Sequence, residues 1–218
     1  ATGNFNLNWE IVDGLTATAQ YAMHDYNYRG SYYARGEVDG YPNLISQTRS
    51  TTETRTQTVR DTFTAHLAFN RTFADKHTVG ATLGYELMSQ RYWYLTSNST
   101  GSASDDVPIL DSGINFKASN KDEKQALMSL FGRVSYDFAQ KYIVSATFRY
   151  DGSSKFAKGN QWGFFPAASA AWVISEEPFF EGVRRTMNNL KLRVSYGQTG
   201  NNGIGLYDTY GAFATGQY

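Results

Sequence analysis

Residues 4–11, NFNLNWEI, alternate without a fault. Phe5, Leu7, Trp9 and Ile11 fall on one side, and Asn4, Asn6, Asn8 and Glu10 on the other. A period of two is the signature of a strand with one apolar and one wet face. Asp13-Gly14 follows, a pair suited to a tight type I′ hairpin turn. Alternation then resumes with Leu15, Ala17, Ala19, Tyr21 and Met23 opposite Thr16, Thr18, Gln20 and His24.

The same pattern recurs down the chain. Phe63, Ala65, Leu67 and Phe69 oppose Thr62, Thr64, His66 and Asn70. Val79, Ala81, Leu83, Tyr85 and Leu87 oppose Thr78, Thr82 and Glu86. Met128, Leu130, Val134, Tyr136 and Phe138 oppose Ser129, Phe131, Arg133, Ser135 and Asp137. Tyr142–Tyr150, Trp162–Ile174 and Leu190–Tyr196 complete about eight strands. The connections at 13–14, 71–77 and 139–141 are short. Polar stretches at about 26–50, 96–122, 152–161 and 198–218 read as loops on the opposite end. The expected fold is therefore an all-β, antiparallel up-and-down meander, with tight turns at one end and long loops at the other. Pro166 sits inside a strand pattern and lacks an N–H, so a bulge or a missing hydrogen bond is expected there.

Composition changes how that pattern reads. The mean hydropathy is −0.48, as in a water-soluble protein. Yet 16 Tyr and 14 Phe occur, and several strands exceed the ~9–11 residues that a tilted membrane strand needs. In a barrel wall only one face meets lipid, so low hydropathy and membrane insertion are compatible. Aromatic residues at the ends of the apolar stripes, such as Tyr142 and Tyr150, suit the two membrane interfaces. The alternatives are a passive porin-type channel and a soluble carbohydrate-binding β-sandwich. The 20 basic and 20 acidic residues balance, which gives no field for nucleic acid. No apolar run has transmembrane-helix length, and the first residues carry no signal-peptide pattern.

Candidate chemistry is sparse. There is no cysteine, and His24, His66 and His77 have no metal-ligand spacing. Neither a nucleophile elbow nor a zinc-protease motif occurs, so no enzyme, cofactor or metal site is expected. Asp105, Asp106 and Asp111 cluster in a loop that reads as solvated, with calcium as the alternative. Gly152-Ser153-Ser154-Lys155 lacks the Gly-Lys-Ser/Thr order of a phosphate loop and leads into a strand, so it reads as a hairpin tip. Candidate cargo contacts are the aromatic residues Trp93, Tyr94 and Tyr32 and the lumen-side charges Arg133, Arg149, Arg193, Glu86 and Asp137.

Several blocks occur in combination: Phe131-Gly132-Arg133, Arg149-Tyr150-Asp151-Gly152-Ser153-Ser154, Trp162-Gly163-Phe164-Phe165-Pro166, Ser175-Glu176-Glu177-Pro178-Phe179 and Leu192-Arg193-Val194-Ser195-Tyr196-Gly197-Gln198-Thr199-Gly200-Asn201. With them the stretch from Leu130 to Asn202 resembles the SusC/RagA family of TonB-dependent outer-membrane transporters. The resemblance implies an internal segment of a roughly 22-stranded barrel, with the plug domain lying outside this segment. It also implies a SusD-like surface lipoprotein, TonB and outer-membrane lipid as partners, and oligosaccharides or peptides as cargo.

Overall fold

The computed structural model describes residues 1–38, 41–45 and 48–206. Eight strands form one meander: β1 (Thr2–Val12), β2 (Leu15–Ala34), β5 (Ser50–Phe73), β6 (His77–Thr100), β7 (Asn115–Phe138), β8 (Tyr142–Ser153), β9 (Trp162–Val173) and β10 (Lys191–Gly197), paired in that order. A two-stranded ribbon of β3 (Glu37–Val38) and β4 (Tyr41–Ile45) lies in the connection between β2 and β5. Contacts group the chain into two units. One comprises Ala1–Gly3, Met23–Arg60 and Gln90–Lys124; the other comprises Asn4–Ala22, Asp61–Ser89 and the chain from Gln125 onward.

The registers explain the alternation. Leu130 pairs with Tyr150, Val134 with Ala146 and Tyr136 with Val144; Ala146 pairs with Ala168 and Val144 with Ala170; Val194 continues the row against Ala170. Paired residues share a face, so the apolar positions of β7–β10 make one continuous surface. Ser129, Phe131, Arg133 and Ser135 stand on the other face against Asp151, Arg149, Thr147 and Ser145. Among the described residues Phe180 is the one buried hydrophobic side chain, while Leu83, Leu130, Val134 and Val194 are all exposed. An apolar sheet face with no protein layer on it is not a sandwich, which needs a second sheet over that face. It is what a lipid-facing wall presents.

β5, β6 and β7 each run 24 residues, about 80 Å at ~3.3 Å per residue. They continue into stretches that read as loops in the sequence: 26–34 belongs to β2, 96–100 to β6 and 115–122 to β7. The cause is that both faces turn polar there. The contrast between faces fades, while Tyr and Thr keep the backbone extended. Residues 207–218 of the last expected loop lie outside the described residues.

The turn chemistry differs from expectation at one hairpin. In the Asp13-Gly14 connection only Gly14 has positive φ (80°), so the turn is not type I′. The turns with both central residues at positive φ are Phe73-Ala74-Asp75-Lys76 and Phe138-Ala139-Gln140-Lys141. Each closes through a Lys N–H donating to a Phe carbonyl, at 3.2 and 3.0 Å. Asp137 caps the second turn by accepting from the Gln140 amide at 2.7 Å.

Pro166 causes no bulge: β8 and β9 stay in register through Phe148–Pro166. Its carbonyl accepts from the Gln198 amide at 3.0 Å, so its missing N–H faces β10. The β9–β10 ladder stops one pair earlier, at Ala167–Gly197. The lost bond therefore falls at the end of β10, where it interrupts nothing.

Beyond β9 the chain forms short 3₁₀ turns at Ile174–Glu176 and Pro178–Val183. Glu177, between them, accepts from the Tyr142 hydroxyl at 2.6 Å and the Trp172 indole N–H at 3.1 Å, and pairs with Lys141 at 3.5 Å. These donors hold its carboxyl below the usual range, Tyr142 most and Trp172 next. The Ser-Glu-Glu-Pro-Phe block thus ties the turn end of the sheet to two interface aromatics.

Candidate functional site

On the polar face a charged cluster forms around Arg149. Arg149 on β8 donates from Nε to Asp151 at 2.8 and 3.0 Å, and from Nη2 to Glu86 at 3.1 Å and to the buried Ser129 hydroxyl at 2.8 Å. Its guanidinium lies 6.0 Å from the centre of the Phe131 ring. Glu86 also accepts from Thr64 at 3.4 Å. Three strands, β6, β7 and β8, thus meet at one arginine, and β5 joins through Glu86. The sequence placed Glu86 and Arg149 on the wet face, and the structure joins them. Because they satisfy each other, they present less net charge to a solute than two free groups would.

The remaining arginines stand apart. Arg133 pairs in register with Thr147, and Arg193 with Ala171, which pairs with Ile143. Thr147 and Ile143 lie four residues apart on β8, about 13 Å along a strand. Asp137, in the row of Arg193, is committed to its turn.

The aromatic candidates divide between faces. Trp93 lies an odd number of residues from Glu86 on β6, so it points outward; it lines a 480 Å³ surface recess with Arg91, Gln57 and Val59. It is expected at the lumen rim or in a loop, and it stands on a strand. Tyr94 faces inward and stacks on Tyr92, with centroids 6.5 Å apart and planes at 7°. Tyr32 is inward and 66% exposed. Tyr26, Tyr28 and Tyr92 share these faces and were legible from the same period of two.

In the long loop after β6, Asp105 accepts from the Tyr33 hydroxyl at 2.7 Å and the Gly36 amide at 3.1 Å, and pairs with Arg49 at 3.1 Å. Asp106 accepts from Ser104 at 2.8 Å. Among the described residues no group of three acidic or histidine side chains is arranged to hold a metal. Asp105 tethers the loop to Tyr33, Gly36 and Arg49. At the 152–155 segment, the Ser154 amide donates to the Ala126 carbonyl at 3.0 Å, the Ser154 hydroxyl accepts from the Ala126 amide at 2.9 Å, and Lys155 reaches the Asn202 carbonyl at 3.2 Å. This is a hairpin tip without an anion cradle.

The family model for the TonB dependent receptor-like beta-barrel matches residues 1–218. The chain belongs to that family. It is 38% identical over 153 residues to TonB-dependent receptor P39 of Formosa agariphila, covering 68% of this chain and 14% of that protein. It is 43% identical over 82 residues to TonB-dependent receptor SusC of Bacteroides thetaiotaomicron, covering 38% of this chain and 8% of SusC. Its fold matches the RagAB peptide importer in the open-open state, with a TM-score of 0.83 over 95% of this chain and 23% of that one, at 24% identity. The matched stretch thus covers less than a quarter of each of these proteins.

Proposed function

We propose that this chain is a wall segment of an active outer-membrane importer that takes up oligosaccharides or peptides. It works with a SusD-like lipoprotein over its outer face and with TonB as the energy source. The observation that carries this reading is the family match over the whole chain, joined to a sheet whose apolar face has no protein partner. The eight-stranded sheet has two open edges, β1 and β10. Unpaired backbone groups are not tolerated in hydrocarbon, so further strands of the parent barrel must cover both. The segment alone then transports nothing and catalyses nothing; it supplies wall, lumen surface and outer connections.

The test is uptake of labelled oligosaccharides and peptides by cells carrying or lacking the parent gene. Uptake that requires the gene, stops when TonB is deleted and accompanies co-purification of a surface lipoprotein supports the reading. Uptake that persists without TonB points to a passive channel instead.

A further inference from the structure

In the unit formed by the distal parts of β2, β5 and β6, the two faces differ in charge. Outward positions carry charged pairs: Arg29 with Glu53 at 3.6 Å, and Arg91 with Asp122. Inward positions carry Tyr26, Tyr28 and Tyr32 on β2, Thr52, Thr54, Thr56 and Thr58 on β5, and Tyr92, Tyr94, Thr96 and Asn98 on β6.

Cross-strand contacts fix how these line up. Asp25 with Gln57 and Arg29 with Glu53 share one register, which sets Tyr26 beside Thr56 and Tyr28 beside Thr54. Thr54 with Thr96 at 3.4 Å, Asn98 with Thr52 at 2.9 Å and Arg60 with Gln90 at 2.8 Å share another, which sets Thr56 beside Tyr94 and Thr58 beside Tyr92. A column of threonines therefore runs between two columns of tyrosines. The flanking strands are about 9.5 Å apart, two strand spacings.

The Tyr28 ring lies flat on this face. A Cβ at Gly30 would stand 2.6 Å from the Tyr28 hydroxyl and 3.0 Å from its ring, so Tyr28 lies flat along its strand over the glycine. Tyr92 and Tyr94 lie parallel. Among the described residues the charged one in the trough is Arg60, at its inner end and bonded to Gln90; Lys121 and Glu123 stand on the next strand, β7.

We infer that this trough is the site where neutral oligosaccharide is held on its way in, a reading that rests on the importer function proposed above. A pyranose ring has apolar C–H faces and a rim of hydroxyls. A flat ring such as that of Tyr28 matches the faces, and threonine hydroxyls, which donate and accept, match the rim. Where binding strips water from the charged termini of a peptide, the Tyr, Thr and Asn positions of the trough offer no counter-ion. A neutral glycan carries no such cost.

The experiment uses the parent protein in detergent micelles and neutral hexasaccharides (α-1,4- and β-1,4-glucan, β-1,3-glucan and β-1,4-mannan), with hexagalacturonate and a dodecapeptide mixture as competitors. At least one neutral hexasaccharide should bind. Tyr28→Ala with Tyr94→Ala should weaken it tenfold or more, while Tyr28→Phe with Tyr94→Phe retains it and Trp93→Ala leaves it unchanged. Heat-shifted gel mobility of each variant reports the intact barrel. The inference is overturned if no neutral hexasaccharide binds, if only the charged probes bind, or if the alanine pair binds as the parent does. TonB-dependent uptake of peptide would then leave the importer reading standing, whereas loss of all TonB-dependent uptake would remove that reading itself.

Discussion

The Trp162 ring covers the backbone of Gly152, its partner in the β8–β9 register. A Cβ at Gly152 would meet three indole carbons at 2.8–2.9 Å. The ring also stacks on Tyr150, with centroids 4.9 Å apart. An aromatic laid over a strand glycine restores the packing that the glycine lacks. Gly132 under Phe148 repeats the device one strand pair away. This gives the Phe-Gly-Arg, Asp-Gly-Ser and Trp-Gly-Phe blocks a physical reason for pairing glycine with aromatics. Gly152→Val should therefore destabilise the parent barrel by ~1–3 kcal/mol, the usual cost of overpacking. Adding Trp162→Ala should restore part of that loss. A double-mutant cycle on unfolding in detergent checks this, and strictly additive effects would disprove the contact.

The facing of β6 yields a second prediction. Leu83 is 53% exposed on the apolar face, and its neighbour Thr82 belongs to the polar one. Leu83→Arg should cost ~2–4 kcal/mol near the bilayer midplane, and Thr82→Arg much less. Equal losses of folding efficiency into liposomes would mean that the faces are misassigned.

Much of this was legible from residue order, for a stated reason. Where one face meets lipid and the other water, the period of two is unambiguous; β8 to β10 and the second half of β7 therefore fall close to where the alternation places them. Where both faces meet water, the contrast disappears. Residues 26–34, 96–100 and 115–122 hence read as loop although they are strand. Parity within β6 already separated Trp93 from Glu86, and choosing aromatic residues by type alone passed over it. The convergence of Glu86, Ser129, Arg149 and Asp151 depends on register between strands. Alternation within a strand does not specify register; cross-strand packing and turn geometry do.

That convergence makes a third prediction. Arg149→Met leaves Glu86 and Asp151 facing one another without their shared cation, and leaves the Ser129 hydroxyl without its donor. The Arg149 side chain is 40% exposed, so water screens part of the effect. The expected loss is about 1–2 kcal/mol. Adding Glu86→Gln should recover some of it by removing the like-charge contact. Denaturant unfolding of the three variants in detergent provides the measurement; a double variant less stable than Arg149→Met alone would mean that Glu86 does not depend on Arg149.

The knot at the turn end predicts a pH dependence. Glu177 lies between strands, and its carboxyl is held low chiefly by the Tyr142 hydroxyl and then by the Trp172 N–H. A group whose folded pKa is depressed adds stability above its unfolded pKa, about 4.3 for glutamate. That contribution is lost as pH falls through and below that value. The parent protein should therefore lose thermal stability between pH 5 and 3, by an amount screened because the site borders solvent. Glu177→Gln keeps an acceptor for Tyr142 and Trp172 but carries no charge. It should start less stable at pH 7 and show a shallower slope on acidification. Thermal midpoints of both proteins in detergent across that range make the comparison, and parallel curves would exclude Glu177 as the titrating tie.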